Sequence, residues 1–263
     1  MADQLVYSEA AAEGYDRTFG CHVSVRFVPA LLNAAQLAPG MRVLDVATGT
    51  GFAAEAALSA IGPTGHITAA DLSPAMLDKA RERLGRHANA SCSVEDGQSL
   101  SFADGSFDVV LCSLGLMFFP DPARGLAEFY RVLRPGGRVA VSVGTEAQYD
   151  TQLIRALARY APQLAEAADR MFSLDDTTRL RSLFEGAGFR NVETATDVQR
   201  ITRPSFAAYF APYERGGGSI GQAYAALPEE ARSAVREEVR HGLGDTGGAI
   251  AIDCQIRLAS GSR

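Results

Sequence analysis

Three acids stand at or near the ends of three successive strand-like runs: Asp45 in "VLDVATGTGFAAEAAL", Asp71 in "HITAAD" and Asp96 in "SVEDGQSLSF". After the first acid come Gly49 and Gly51, which let a backbone approach a ligand with no Cβ in the way. The helix start that follows offers free N–H groups and about half a positive charge, a pole suited to a carboxylate or a phosphate. Asp45, four residues ahead of Gly49, would repel a pyrophosphate and attract an ammonium or sulfonium. Asp71 lies about twenty residues past Gly51, the separation at which an acid reaches ribose hydroxyls in nucleotide folds. Asp96 stands where an adenine amino group could be met. The set outlines an adenosine with a positively charged tail, which S-adenosylmethionine fits. The plainer alternative is that Asp71 and Asp96 only cap the helices that follow.

Such a set needs elements that bring strand ends together. From Arg42 to about Gly144 short β-branched runs alternate with longer segments of 3.6-residue period, the signature of βαβ units and a parallel sheet. The strands are expected at "RVLDVA", "HITAAD", "ASCSVE", "FDVVLCS" and "GRVAVSVG". "LSPAMLDKARERLGRH" reads as a helix with Ser73 as N-cap and Pro74 at its first position. "DPARGLAEFYRVLRPGG" is a helix ended by a Pro135-Gly136-Gly137 turn. Ahead of this block, residues 22–37 predict an amphipathic helix or two, interrupted at Pro29. Beyond it come helices near 148–160 and 175–187, then strands at "FRNVETATDVQRI" and "AIAIDCQIRLASG". Between those strands the sequence is richer in aromatics, Gly and Pro, which predicts a helical insertion over residues 203–248. In open parallel sheets the ligand lies beyond the carboxyl ends of the strands. The loop after "RVLDVA" is therefore the expected site.

In this order, "VLDVATGTG", "AADLSPAML", "EDGQSLSFADGSFDVVLCSLGLMFF" and "FYRVLRPGGRVAVS" resemble the class I S-adenosylmethionine-dependent methyltransferases, in particular the ubiquinone/menaquinone-biosynthesis group. The resemblance covers roughly residues 40–145. It implies an α/β, Rossmann-like, mostly parallel seven-stranded sheet of order 3-2-1-4-5-7-6. The last strand is antiparallel and helices lie on both faces. It implies that Asp45, Ala47, Gly49 and Gly51 hold the methionyl part of the cofactor, with Ala47 replacing the usual first glycine. It further implies Asp71 on the ribose, Leu72 and Met76 flanking the adenine, and Asp96 with the Gly97 backbone recognising it. Ser113 and Leu114 would lie beside the transferable methyl, and Tyr15 would close over the cofactor. The expected organisation is one domain over 1–263: an N-terminal helical segment at 1–39, a cofactor-binding core at 40–145 and the helical cap at 203–248.

The expected reaction is methyl transfer from S-adenosylmethionine to a C, O or N nucleophile, leaving S-adenosylhomocysteine. An in-line displacement requires chiefly positioning. Phe19, Met117, Phe118, Tyr209 and Tyr213 would make an apolar, aromatic pocket, which favours a small hydrophobic or aromatic acceptor. If the acceptor is a phenol, His22 is the nearest candidate base by sequence, although a histidine on an amphipathic helix is more often solvated. Core packing is the rival role for each pocket residue. "GTGFAA" also satisfies a dinucleotide fingerprint. Against an oxidoreductase stand Asp45, which would face a pyrophosphate, and Lys79, which is the only lysine and lacks a tyrosine four residues before it. A cofactor binder catalysing a reaction other than methyl transfer stays open.

The composition narrows the partners. With 31 acidic and 25 basic residues among 263 the net charge is −6, so no broad positive field exists to hold nucleic acid. No stretch of 18 apolar residues occurs and no signal-peptide pattern opens the chain, which predicts a cytoplasmic protein without a membrane span. Cys21, Cys92, Cys112 and Cys254 lie far apart and read as structural thiols; no metal site is expected. The oligomer is expected to be a monomer or homodimer.

Overall fold

The computed structural model describes residues 7–160 and 169–263. Seven strands form one sheet: β1 Arg42–Val46, β2 His66–Asp71, β3 Ala90–Val94, β4 Phe107–Ser113, β5 Leu133–Gly144, β6 Arg190–Arg203 and β7 Ile250–Ser262. Their order is β3-β2-β1-β4-β5-β7-β6. The first five pair in parallel, and β7 is antiparallel to both β5 and β6. The central runs are largely apolar, as strands covered on both faces are: Val43, Leu44 and Val46 of β1 and Val109 to Cys112 of β4 are all buried. Register places Asp45 beside Ala69 and Leu111. The carboxyl ends of β1, β2 and β4 therefore emerge together.

Helices α1 Glu9–Tyr15, α2 Val25–Ala35, α3 Phe52–Ile61, α4 Pro74–Leu84, α5 Pro122–Val132, α6 Thr151–Ala158 and α7 Thr177–Gly186 surround the sheet. Between β6 and β7 lie α8 Phe206–Glu214, α9 Gly218–Ala225 and α10 Glu229–Gly242. On α5, Leu126, Phe129 and Val132 face the core at helical spacing, each contributing roughly 2–3 kcal/mol by burial.

Three local expectations change. Pro29 does not interrupt a helix: it lies inside α2, which continues directly from π-helical turns over Asp16–Ser24. Burial of Phe27, Val28, Leu31 and Ala35 outweighs the backbone bond that proline forgoes, a loss of about 3 kcal/mol in an isolated helix. Ser73 occupies the N-cap position but does not cap; its hydroxyl exchanges hydrogen bonds with the backbone of Tyr7. The Pro135-Gly136-Gly137 segment is not a free turn but a kinked beginning of β5. There Gly136 takes φ +77°, its N–H donates to Arg263 O at 3.0 Å, and the pairing with β4 breaks register between Phe107 and Val109.

Candidate active site

At the carboxyl end of the sheet a cleft encloses about 1020 Å³, part of it open to solvent. Its walls come from the ends of four strands: Val46 and Ala47 after β1, Asp71 and Leu72 after β2, Glu95 to Gln98 after β3, and Ser113 to Gly115 after β4. Hydrogen bonds tie these ends together. Thr48 N donates to Ala70 O at 3.0 Å, and Gly51 N to Thr48 O at 3.0 Å, closing the turn. Gly49 N donates to Asp71 Oδ2 at 2.8 Å while Ser73 N donates to Oδ1 at 2.9 Å. Asp71 thus organises the glycine turn from the neighbouring strand.

The turn demands left-handed backbone at Ala47 (φ 54°), Gly49 (φ 56°) and Gly51 (φ 87°). A Cβ on Gly49 would point toward the Tyr15 ring, 4.0 Å away, across the mouth of the cleft. A Cβ on Gly97 would collide with the Phe119 ring, so a glycine there lets the aromatic wall close on the backbone after β3. Ala47 and Leu114 (φ 53°) are the non-glycine positions of the cleft that hold this strained conformation, at about 1–2 kcal/mol each.

The electrostatics favour a cation. Asp45 is fully buried beneath the turn; its Oδ2 accepts from Thr48 Oγ1 at 2.6 Å, and Oδ1 has no hydrogen-bond partner among the described residues. Burial, with Asp71 adding to it, pushes the Asp45 carboxyl up to about 7. Burial also raises Asp71 against the three backbone N–H groups that favour its ionised form. Two desolvated carboxyls beside one cleft gain most from a positively charged ligand. Tyr15 is pushed up to about 12 by burial, so it stays a neutral ring and hydroxyl.

The Methyltransferase domain family matches residues 44–141. The ubiquinone/menaquinone biosynthesis C-methyltransferase UbiE of Shewanella halifaxensis is 31% identical over 193 residues, 66% of this chain and 76% of that protein. The chain belongs to the class I S-adenosylmethionine-dependent methyltransferases. This methyltransferase also resembles an arsenite methyltransferase of Halobacterium salinarum, 36% identical over 135 residues, 51% of this chain but 33% of that longer protein. Its fold matches phosphoethanolamine N-methyltransferase 2 of Haemonchus contortus, solved with S-adenosyl-L-methionine, at TM-score 0.62 and 19% identity over 98% of this chain and 57% of that one. S-adenosylmethionine is the methyltransferase's cofactor. The cleft fits it on its own terms: an orphaned buried carboxylate oxygen, a second acid at the next strand end and an open glycine turn meet in one place.

Of the residues singled out by sequence, Tyr15, Ala47, Gly49, Asp71, Leu72, Met76, Asp96, Gly97, Ser113, Leu114 and Phe118 line the cleft. Asp45 and Gly51 lie behind its wall; a Cβ on Gly51 would sit 3.2 Å from Ala80, so this glycine serves the packing of α3 on α4. Phe19 backs Tyr15, with ring centroids 5.7 Å apart. Met117 is buried beneath the turn after β4, and Tyr209 and Tyr213 are buried on α8. His22 is exposed on the π-helical turns, outside the cleft. No helix among the described residues is long and apolar enough to cross a membrane.

Sequence reasoning missed Arg83. Its Nε donates to Thr50 O at 2.8 Å, it pairs with Asp16 at 2.7 Å, and its guanidinium lies 3.7 Å from the Phe52 ring centroid. It ties the glycine turn to the N-terminal segment, a role hidden because a basic last turn of α4 is explained by the helix dipole alone. Glu95 was missed too; it lines the cleft and accepts from Ser93, Ser101 Oγ and Ser101 N. The serines at 93 and 101 were the available signal.

Proposed function

We propose that the methyltransferase acts on a small hydroxylated aromatic acceptor, methylating its oxygen or a ring carbon. The observation that carries this reading is the aromatic surface around the cleft: Tyr7, Tyr15, Phe118 and Phe119 on the wall, and the buried Tyr149, Tyr209 and Tyr213 of the adjoining cluster. Rings of this kind hold a flat apolar body by stacking and edge contacts. The name of the Shewanella relative, a C-methyltransferase of ubiquinone/menaquinone biosynthesis, supports an acceptor of that chemistry.

S-adenosylmethionine supplies an electrophilic methyl on a sulfonium. In this reading Asp71 holds the ribose, the turn of Ala47, Gly49 and Gly51 with Asp45 beneath it receives the methionyl end, and Asp96 with Gly97 meets the adenine between Leu72 and Met76. Tyr15 covers the bound nucleoside, and Ser113 and Leu114 border the transfer point. Helices α8 to α10, over residues 203–248, form a cap that excludes water from the nucleophile. Phe19, Met117, Tyr209 and Tyr213 support the pocket from behind its surface. The chain's contribution to rate is chiefly to hold the nucleophile about 3–3.5 Å from the methyl and on its axis.

The test is calorimetry with S-adenosylmethionine, S-adenosylhomocysteine and NADH, followed by a methyl-transfer screen over phenols, hydroquinones and aromatic amines. Binding of the first two and turnover of a phenol or hydroquinone is the expected result. Turnover confined to amines would overturn the acceptor reading.

A further inference from the structure

Asp150 is a buried carboxylate that none of the roles above uses. It lies six residues beyond the end of β5, on the carboxyl side of the sheet where the cleft opens, and stands at the start of α6 without capping it. The residue is 4% exposed. Its own amide N–H bonds the carboxylate, while Oδ1 has no hydrogen-bond partner among the described residues.

Tyrosines surround it. Tyr7 and Tyr15 of the cleft wall feel its charge, as do Tyr149, Tyr209 and Tyr213. The Cys254 thiol of β7 faces it as well. Two nearby donors are committed elsewhere: Tyr209 Oη donates to Tyr149 O at 3.1 Å, and Arg203 Nε donates to Tyr149 Oη at 2.7 Å with its guanidinium over the same ring. A desolvated carboxylate oxygen left without a donor is strongly unfavourable. Of the surrounding rings Tyr7 and Tyr15 line the cleft, with Asp150 behind them, so an aromatic acceptor seated there with its hydroxyl turned inward would supply the missing donor. Burial pushes the carboxyl up to about 6, close to the operating pH that suits a general base.

Resting on the hydroxylated-aromatic reading, we propose that Asp150 is the proton acceptor of the methyl transfer, Oδ1 taking the proton of the acceptor's hydroxyl. For attack by oxygen, the O–H bond breaks and its proton goes to Oδ1. The oxygen's electron pair forms the bond to the methyl carbon, and the methyl–sulfur bond breaks with its pair remaining on sulfur, leaving S-adenosylhomocysteine. For attack by a ring carbon, the same deprotonation loads electron density onto the ring, whose carbon forms the bond to the methyl carbon as the methyl–sulfur bond breaks with its pair remaining on sulfur. The ring C–H proton then leaves to solvent, and Asp150 returns its proton to the oxygen.

The variant is Asp150→Asn, which keeps the shape and removes the charge, assayed with 1,4-naphthohydroquinone as acceptor. Affinity for S-adenosylmethionine stays within about twofold of wild type, and kcat falls by about 100-fold or more, the range for a general base. In the wild type kcat rises with pH and levels off above about 6, because the base must be ionised; the variant shows no such rise. A second readout needs no acceptor. The chain has 8 tyrosines and no tryptophan, so emission of the unliganded protein comes from tyrosine. It changes with a midpoint near pH 6 in the wild type and loses that step in the variant. A variant retaining a third of the wild-type kcat, a wild-type profile flat across pH 5 to 7, or an emission step that survives the substitution overturns the assignment and leaves the phenolic reading intact. Methylation of benzylamine but of no phenol overturns both.

Discussion

Asp45→Asn tests whether the cleft stores charge stress in the cofactor-free enzyme. The side chain is fully buried, with one oxygen on Thr48 and the other without a hydrogen-bond partner among the described residues. Moving its carboxyl from 3.8 to about 7 makes ionisation in the folded chain about 4 kcal/mol harder, at ~1.4 kcal/mol per pH decade. The folded state binds this proton more tightly than the unfolded state. Asp45 therefore contributes its full stability below about pH 4 and loses it as pH rises through about 7. Asparagine is isosteric and does not titrate, and Asp71 and Asp150 are common to both proteins. The stability gap thus widens in the variant's favour by about 2 kcal/mol between pH 5 and 7.5, worth roughly 4–8 °C in Tm for a chain of this size. Circular dichroism melts without cofactor at pH 5, 6, 7 and 7.5 measure it. A gap that stays constant across that range would refute the reasoning, since it would mean that Asp45 ionises in the folded chain as readily as in the unfolded one.

Asp71→Ala removes the acceptor of the Gly49 and Ser73 N–H groups; calorimetry is expected to show S-adenosylmethionine binding at least about tenfold weaker, and affinity within threefold of wild type would contradict the ribose assignment. Gly49→Val places a branched side chain at φ 56° and toward Tyr15; cofactor binding is expected to vanish while far-ultraviolet dichroism stays native, at a stability loss of about 2 kcal/mol. Ala47→Gly relieves the left-handed strain and gives back part of it as unfolded-chain entropy, so a net gain of about 0.5–1 kcal/mol is expected. A lower denaturation midpoint for that variant would show that Ala47 is held there by packing rather than against strain.

The sheet was legible because its strands are apolar runs of the right length separated by helices with clear starts, and the chain order of those units leaves few topologies. The acids at strand ends were legible for the same reason: position along a strand sets position in space. What escaped was whatever depends on a partner distant in sequence. Arg83 reads as a helix terminus until Thr50 and Asp16 stand beside it. Ser73 reads as a cap until Tyr7 claims its hydroxyl. Asp150 reads as the start of a helix, and only tertiary burial turns it into a carboxylate among tyrosines. His22 is close to Tyr15 in sequence, but the segment between them winds as π-helical turns over Asp16–Ser24, which shifts it off the face that helical spacing would share with Tyr15.

The position of β7 makes assembly depend on order of synthesis. Among the described residues β6 pairs only with β7, and β7 also makes the antiparallel pairing with β5, so β6 emerges from the ribosome with no edge to join until the strand beginning at Ile250 follows it. The three helices between them wait equally. Until then β5 presents a bare, apolar edge, the kind of template that recruits other chains. A nascent chain arrested before Ile250 would hold the cofactor-binding strands β1 to β4 already paired yet carry that edge exposed. Ribosome-bound intermediates of this length are thus the species on which a chaperone has most to act, and closure of the sheet is a late, long-range event.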